Sequence, residues 1–198
     1  MWQYLIDKYY NFKSREWVYI PPTLRLDYER NIMKDIVLDA CCGSKMFWFD
    51  GNNPLTVFQD KRELNTSLCD GRQLIVSPDV IGDFTNMSWP DEKFKIVVLD
   101  PPHFDTGGDT GWQVLKYGRL PKGEKLWSEY LTDMFSECFR VLESDGVLIF
   151  KWNETQIPVS KVLDCCEYKP MIGHKRAGKS ADTHWIMFMK NEMMINGK

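Results

Sequence analysis

The sequence predicts an α/β fold built on a doubly wound, mostly parallel sheet with an antiparallel strand near one edge. Three observations carry this. Ile36-Val-Leu-Asp39, Leu55-Thr-Val-Phe-Gln-Asp60, Val80-Ile-Gly-Asp83 and Ile96-Val-Val-Leu-Asp100 are short, largely apolar runs that each end in an aspartate. Unbroken apolar runs suit strands buried on both faces, as parallel strands are. Helices or loops alternate with these strands, and a strand–loop–strand pair closes the chain, which places an antiparallel strand at the end of the sheet.

A chain of 198 residues can bury one sizeable core, and we read it as a single domain. Within it, residues 1–34 form an aromatic-rich cap and residues 105–125 a mobile lid. Apolar content of 43% and charged content of 27% are those of a soluble globular protein. A net charge of −3 argues against a non-specific nucleic-acid coat. No apolar run is long enough to cross a bilayer, and Met1-Trp-Gln-Tyr lacks the layout of a signal peptide, so a cytoplasmic location is expected. The six cysteines, Cys41-Cys42, Cys69, Cys138 and Cys165-Cys166, lack the two-residue gap of a zinc knuckle. They read as reduced packing residues, with no metal site.

Taken in order, Trp2, Leu5, Ile6, Tyr9 and Tyr10 fall at helical spacing before the break at Pro21-Pro22 and predict a capping helix. Trp17 or Tyr19 lining a base pocket is the rival reading of this segment. The strand ending at Asp39 runs into Ala40-Cys-Cys-Gly43-Ser44, a small-residue turn in which Gly43 lets the backbone approach a ligand. Asp60 follows Asp39 at about the 20-residue offset at which a carboxylate grips ribose hydroxyls in dinucleotide folds. Cys69-Asp-Gly-Arg72 is a hairpin turn between Leu68 and Leu74-Ile-Val76. Asp83-Phe84 offers an acceptor and a ring to an adenine.

The stretch Phe94-Lys-Ile-Val-Val-Leu-Asp-Pro-Pro-His-Phe104 organises the rest. Proline cannot donate to a sheet ladder, so the strand stops at Asp100, and the carboxyl tips of such a sheet are where ligands sit. An acid, two stiff residues and a flat ring suit a planar group that carries an N–H. The glycine-rich run 105–111 follows, with Trp112 and then Lys116, Arg119, Lys122 and Lys125 against the single acid Glu124. Apolar residues from Trp127 to Leu142 step by three and four, an amphipathic helix closed by Gly146. The strand Val147–Phe150 leads to Lys151-Trp-Asn153-Glu, Pro158 opens a short helix through Cys166, and the basic run 169–179 precedes a last strand, Trp185–Met189.

Asp39-Ala-Cys-Cys-Gly43-Ser44 together with Asp100-Pro-Pro-His103 resembles the class I S-adenosylmethionine-dependent methyltransferases, in particular the branch that methylates exocyclic amino nitrogens of bases. That branch carries Asp-Pro-(Phe or Ala)-x-Gly-Ser-Gly after the first strand and (Asp, Asn or Ser)-Pro-Pro-aromatic after the fourth. The resemblance covers roughly residues 35–190 and implies a Rossmann-like, seven-stranded sheet with one antiparallel strand in its edge region. It implies S-adenosyl-L-methionine as cofactor, with Asp39, Ala40, Cys41 and Gly43 against its methionine part, Asp60 on the ribose, and Asp83 and Phe84 on the adenine. It further implies Asp100, Pro101, Pro102 and His103 as the catalytic set, the acid and the Pro101 carbonyl accepting from the target amine and His103 stacking on its ring. Phe104, Trp112, Lys116, Arg119, Lys151 and Asn153 are the expected substrate-binding residues.

Two departures from the family pattern stand out: Lys45 occupies the place of a second glycine, and His103 that of the commoner Tyr, Phe or Trp. The substrate implied is a base in RNA or DNA, single-stranded or flipped from its stack, with a protein partner as a possible source of target recognition. N-methylation of a protein amide or a small-molecule amine is the alternative, as is an inactive cofactor-binding subunit. No Pro-Cys dipeptide is present to supply the usual nucleophile for methylation at a ring carbon.

Overall fold

The computed structural model describes residues 8–11, 16–19, 36–106, 108, 111–174 and 182–195. The chain divides into two units, Met1–Lys34 and Asp35–Lys198. In the first, β1 (Lys8–Asn11) and β2 (Glu16–Tyr19) pair antiparallel, Lys8 opposite Tyr19 and Asn11 opposite Glu16. Tyr9 and Tyr10 thus lie in a strand, not in the helix their spacing predicts. Lys-Tyr-Tyr-Asn and Glu-Trp-Val-Tyr are aromatic and β-branched, and a pairing partner a few residues away decides for a strand. The helical expectation for Trp2, Leu5 and Ile6 falls outside the described residues.

The second unit is the α/β domain. Its strands are β3 (Val37–Asp39), β4 (Thr56–Asp60), the hairpin β5 (Leu64–Ser67) and β6 (Gln73–Val76), β7 (Val80–Ile81), β8 (Phe94–Leu99), β9 (Leu142–Asn153), β10 (Ile172–His174) and β11 (Thr183–Met189). Its helices are α1 (Trp112–Tyr117), α2 (Glu124–Val141) and α3 (Val159–Leu163), with a 3-10 turn at Glu192–Met194. Seven strands form one sheet in the order β10-β11-β9-β8-β3-β4-β7. Pairing is parallel throughout β9-β8-β3-β4-β7, while β11 runs antiparallel between β9 and β10. The expected mostly parallel α/β sheet with one antiparallel strand in its edge region is what the chain forms.

Crossover helices are fewer than a doubly wound sheet usually carries. Among the described residues they lie between β8 and β9 and after β9, whereas β3 passes to β4 through turns and β4 to β7 through the β5–β6 hairpin. Residues 40–55 hold two glycines, two asparagines and a proline and have no helical repeat. They still cover β4: Trp48 meets Phe58 edge to face at 5.1 Å, and the Lys45 ammonium lies 3.9 Å from the Phe58 ring centre. Lys45 also takes up a backbone conformation that favours glycine. Its φ is 55°, a conformation that costs a side-chain-bearing residue roughly 1–2 kcal/mol, and Nζ is tied to the Gly51 carbonyl at 3.0 Å.

The core lies between α2 and the β8–β9–β11 part of the sheet. Trp127, Leu131, Met134, Phe135, Cys138 and Phe139 present one buried face of α2, and Phe135 meets Phe150 at 5.2 Å while Phe139 stacks on Tyr168 at 3.9 Å. Burying each such side chain is worth about 1.5–3 kcal/mol, which anchors the helix although its amino end lacks a side-chain cap. The helix ends at Val141 rather than at Gly146. Gly146 instead lets β9 run close beside β8, since a Cβ there would sit 2.8 Å from the Glu143 carbonyl and 3.2 Å from that of Lys95.

Candidate active site

Because β3, β4, β8 and β9 are parallel, their carboxyl ends meet along one edge of the sheet. The turn after β3 starts there: the Ala40 N–H donates to the Val98 carbonyl at 3.0 Å, and the Cys42 N–H to that of Gln59 at 2.8 Å. Gly43 follows with a φ of 50° and open space on its Cβ side, so its backbone is exposed to an approaching group. The Asp100 N–H points back at Cys41 Sγ, 3.2 Å away. The glycine turn and the Asp-Pro-Pro tip are therefore neighbours, and both border one cleft of about 630 Å³, its open mouth included.

Of the residues expected at the site, Cys41, Gly43, Asp60, Phe84, Asp100, Pro102 and Lys116 line this cleft. So do Cys42 and Ser44 of the same turn, and Met46, Phe47, Lys61, Arg62, Tyr117 and Gly118, for which no ligand contact was expected. For Arg62 a signal existed, an arginine two residues after the strand-tip acid. For Phe47 and Tyr117 there was none, because an aromatic side chain reveals its direction only in the fold.

Asp60 holds the cleft together. Its Oδ2 accepts from the Gly43 N–H at 2.9 Å, and its Oδ1 from the Arg62 N–H at 2.9 Å and Arg62 Nε at 3.2 Å. Arg62 continues to the Leu115 carbonyl in α1 at 3.1 Å. One carboxylate thus links the tips of β3 and β4 and, through Arg62, the segment expected to form a lid. That segment contains the short helix α1 rather than loop alone. Lys116 faces the cleft, Trp112 stands exposed at the start of the helix, and Arg119 is half-buried beyond its end.

Several expected ligand contacts turn inward instead. Asp39 is fully buried, its Oδ2 accepting from Trp48 Nε1 at 2.7 Å and its Oδ1 from the Cys41 N–H. Burial pushes its carboxyl up to about 7, against the pull of Trp48 and Cys41. It shapes the turn from behind, and Ala40 is equally buried beside it. Asp83 accepts from the Thr85 N–H and hydroxyl within its own turn, while Phe84 packs against Tyr130 at 5.3 Å and reaches the cleft.

His103 sits among Phe104, Tyr117 and Trp152, with ring centres 4.1, 5.5 and 6.4 Å away, and is not a cleft wall. Burial, reinforced by the Lys151 charge, pushes it down to about 4, with the Pro101 carbonyl opposing. At neutral pH it is uncharged, with its ring packed against Phe104. Pro101 and Phe104 are buried, Phe104 as a core ring. Asn153 bridges β9 to β11 through Thr183 Oγ1 at 3.2 Å. Lys151 is paired with Asp100, Nζ to Oδ2 at 2.6 Å. Asn153 and Lys151 find their partners on the neighbouring strand or its tip, whereas Asp39 and Asp83 find theirs in the loop or turn that follows their own strand.

Burial pushes the Cys41 and Cys42 thiols up, Cys42 to about 12, so neither supplies a thiolate at neutral pH. Among the described residues no cluster of three metal-ligating side chains occurs, and no helix is long and apolar enough to cross a membrane.

No family model and no curated protein matches the sequence. Solved structures are similar to it in fold. One is the PH0226 protein of Pyrococcus horikoshii, 13% identical over 85% of this chain and 90% of that one, with a TM-score of 0.49. Another is a TehB-like SAM-dependent methyltransferase of Corynebacterium glutamicum, 12% identical over 85% and 95%, TM-score 0.47. A third is the 1,6-didemethyltoxoflavin-N1-methyltransferase of Burkholderia thailandensis, 11% identical over 86% and 78%, TM-score 0.46. The α/β assignment stands on the strand order and pairing themselves.

Proposed function

We propose that this chain is an S-adenosyl-L-methionine-dependent methyltransferase that places the methyl group on an exocyclic amino nitrogen, adenine N6-like, of a base in RNA or DNA. One observation carries the reading: the Gly43 turn and Asp100-Pro-Pro, on adjacent parallel strands, open into the same cleft.

The residues fit the cofactor. The open Cβ side of Gly43 and the backbone of Cys42 to Ser44 offer a cradle for its amino-acid part, Asp60 an acceptor beside the ribose, and Phe84 an apolar wall for the adenine. When bound, the cofactor supplies a methyl group on a sulfonium. The chain's own residues aim the acceptor. An exocyclic amine is a poor nucleophile because its lone pair is delocalised into the ring, and an acceptor on its proton favours the pyramidal form. Asp100 provides that acceptor, and Pro101 and Pro102 fix the backbone that carries it, so the protein contributes orientation. Of the cations at the cleft, Arg62 is paired with Asp60 and Lys61 lies 3.9 Å from Asp83, and Lys116 supports the approach of a phosphate backbone. A base enters most easily from a single strand or by flipping, with a protein partner adding target choice.

The test is incubation with tritiated cofactor against separate RNA, DNA and protein pools, followed by digestion and identification of the labelled nucleoside. Label is expected on an N-methylated base, and Asp100→Ala is expected to abolish transfer while leaving the cofactor dissociation constant within about twofold, since the acid serves the acceptor. Label confined to protein, or transfer retained by Asp100→Ala, refutes the reading.

A further inference from the structure

Lys151 lies two residues before the end of β9, beside Asp100 just past the end of β8, and its ammonium is held on three sides. Asp100 Oδ2 lies 2.6 Å away, and the Phe47 and Trp185 ring centres lie at 5.6 and 5.8 Å. Those two rings meet each other edge to face at 5.5 Å. The pair is largely withdrawn from water, with side-chain exposures of 23% for Lys151 and 20% for Asp100. Asp100 Oδ2 is thereby committed, while Oδ1 has no hydrogen-bond partner among the described residues.

We propose that Lys151 is a positioning and specificity residue: by pairing with Oδ2 it holds Asp100 ionised, leaves Oδ1 to accept from an uncharged amine, and turns away cationic amines. This rests on the methyltransferase reading above and narrows its acceptor class. A carboxyl this buried loses hydration, and without a cation beside it the neutral acid is favoured. The neutral acid is a donor, useless to an N–H. Paired, Asp100 and Lys151 carry no net charge, so the site has no electrostatic hold on an alkylammonium, which would also meet the Lys151 ammonium at close range. A base amine or an amide needs only the acceptor.

The other groups facing Asp100 leave this role to Lys151. Cys41 and the buried Asp39 come from β3 and its turn, and Asp60 from β4 lines the same cleft. Lys116 and Tyr117 of α1 border that cleft, His103 follows on Asp100's own segment, and β11 contributes the uncharged Trp185 behind Lys151. Burial pushes the Asp100 carboxyl up, Lys151 is the charge that pulls it down, and none of the others makes a hydrogen bond to its carboxylate.

The test reads the Asp100 carboxyl directly, by NMR titration of carbon-labelled protein without cofactor or acceptor, the signal assigned by its loss in Asp100→Asn. In Lys151→Met the titration midpoint is expected about one pH unit or more above wild type, with Lys151→Arg close to wild type. Should Lys151→Met fail to fold, Lys151→Gln must raise the Asp100 midpoint in the same way. A second arm measures transfer to an adenine-containing oligonucleotide against a simple alkylamine, and Lys151→Met should raise the alkylamine-to-base ratio at least about tenfold. Unmoved midpoints or an unchanged ratio overturn the proposal. Absence of transfer to any acceptor by the wild type would instead refute the methyltransferase reading, and the titration would still report on the pair.

Discussion

Asp60 is the residue at which fold and ligand binding are most tightly joined, and replacing it separates the two. Its carboxylate takes three hydrogen bonds, from Gly43 N, Arg62 N and Arg62 Nε, with its side chain only 4% exposed. Hydrogen bonds to a charged group are each worth about 1.5–3 kcal/mol and are not additive. In Asp60→Ala the Gly43 and Arg62 N–H groups lose their acceptor, and Arg62 is left with the Leu115 carbonyl. A loss of about 3–4 kcal/mol is expected, which for a chain of this size lowers the melting temperature by roughly 6–16 °C. Asp60→Asn keeps one acceptor oxygen for Arg62 but turns an amide N–H toward the Gly43 N–H, and should lose about half as much. Thermal unfolding of both variants gives the structural part. Calorimetric titration with S-adenosylhomocysteine, at a temperature where all are folded, gives the ligand part, with affinity expected to fall at least about tenfold as the Gly43 cradle loosens and the ribose acceptor goes. An unchanged melting temperature refutes the clamp. An unchanged dissociation constant in a destabilised variant refutes the ribose role and leaves the clamp standing.

Asp39 predicts a pH dependence of stability. Its carboxyl stands at about 7 in the fold against 3.8 for the free side chain, so between those values the folded state binds more protons than the unfolded one and stability falls as pH rises. Asp39→Asn should remove most of that fall, on the order of 4 kcal/mol, and parallel denaturation curves across pH 4–8 would contradict it. His103, pushed down to about 4 by burial, should leave no histidine limb near pH 6.5 in the rate profile, and His103→Phe should keep transfer within about threefold. A limb there that the substitution removes would show a titrating role. At Gly118, φ is 77° and a Cβ would stand 3.0 Å from Pro102 Cγ. Gly118→Ala should cost about 1–2 kcal/mol and depress kcat/KM by moving Pro102, and an unaffected rate would show that this part of the cleft wall tolerates the shift.

Much of the site's frame was readable without coordinates. An apolar run stopped by Pro101-Pro102 has to end a strand, and Asp70-Gly71 between alternating segments has to turn a hairpin; both are local consequences of the backbone chemistry of proline and glycine. The amphipathic stretch around Trp127–Phe139 likewise declares its buried face. Less local features were misread. The pairing of Lys8–Asn11 with Glu16–Tyr19 overrode the helical spacing at Tyr9 and Tyr10, because pairing is set by the partner strand and not by periodicity alone. The end of α2 moved from Gly146 to Val141, because that glycine serves a close approach to Lys95 rather than a helix stop.

For β3, β4 and β8 the sequence by itself determined that the segment is a strand, where it stops, and that an acid stands at its tip, since those properties depend on neighbours along the chain. The tertiary structure decided what each acid does. Asp39 turns to Trp48, Asp60 to Gly43 and Arg62, and Asp100 to Lys151, 51 residues away. Asp60 meets Gly43 and Asp100 meets Lys151 because strand order and register bring those tips together, which no local pattern announces.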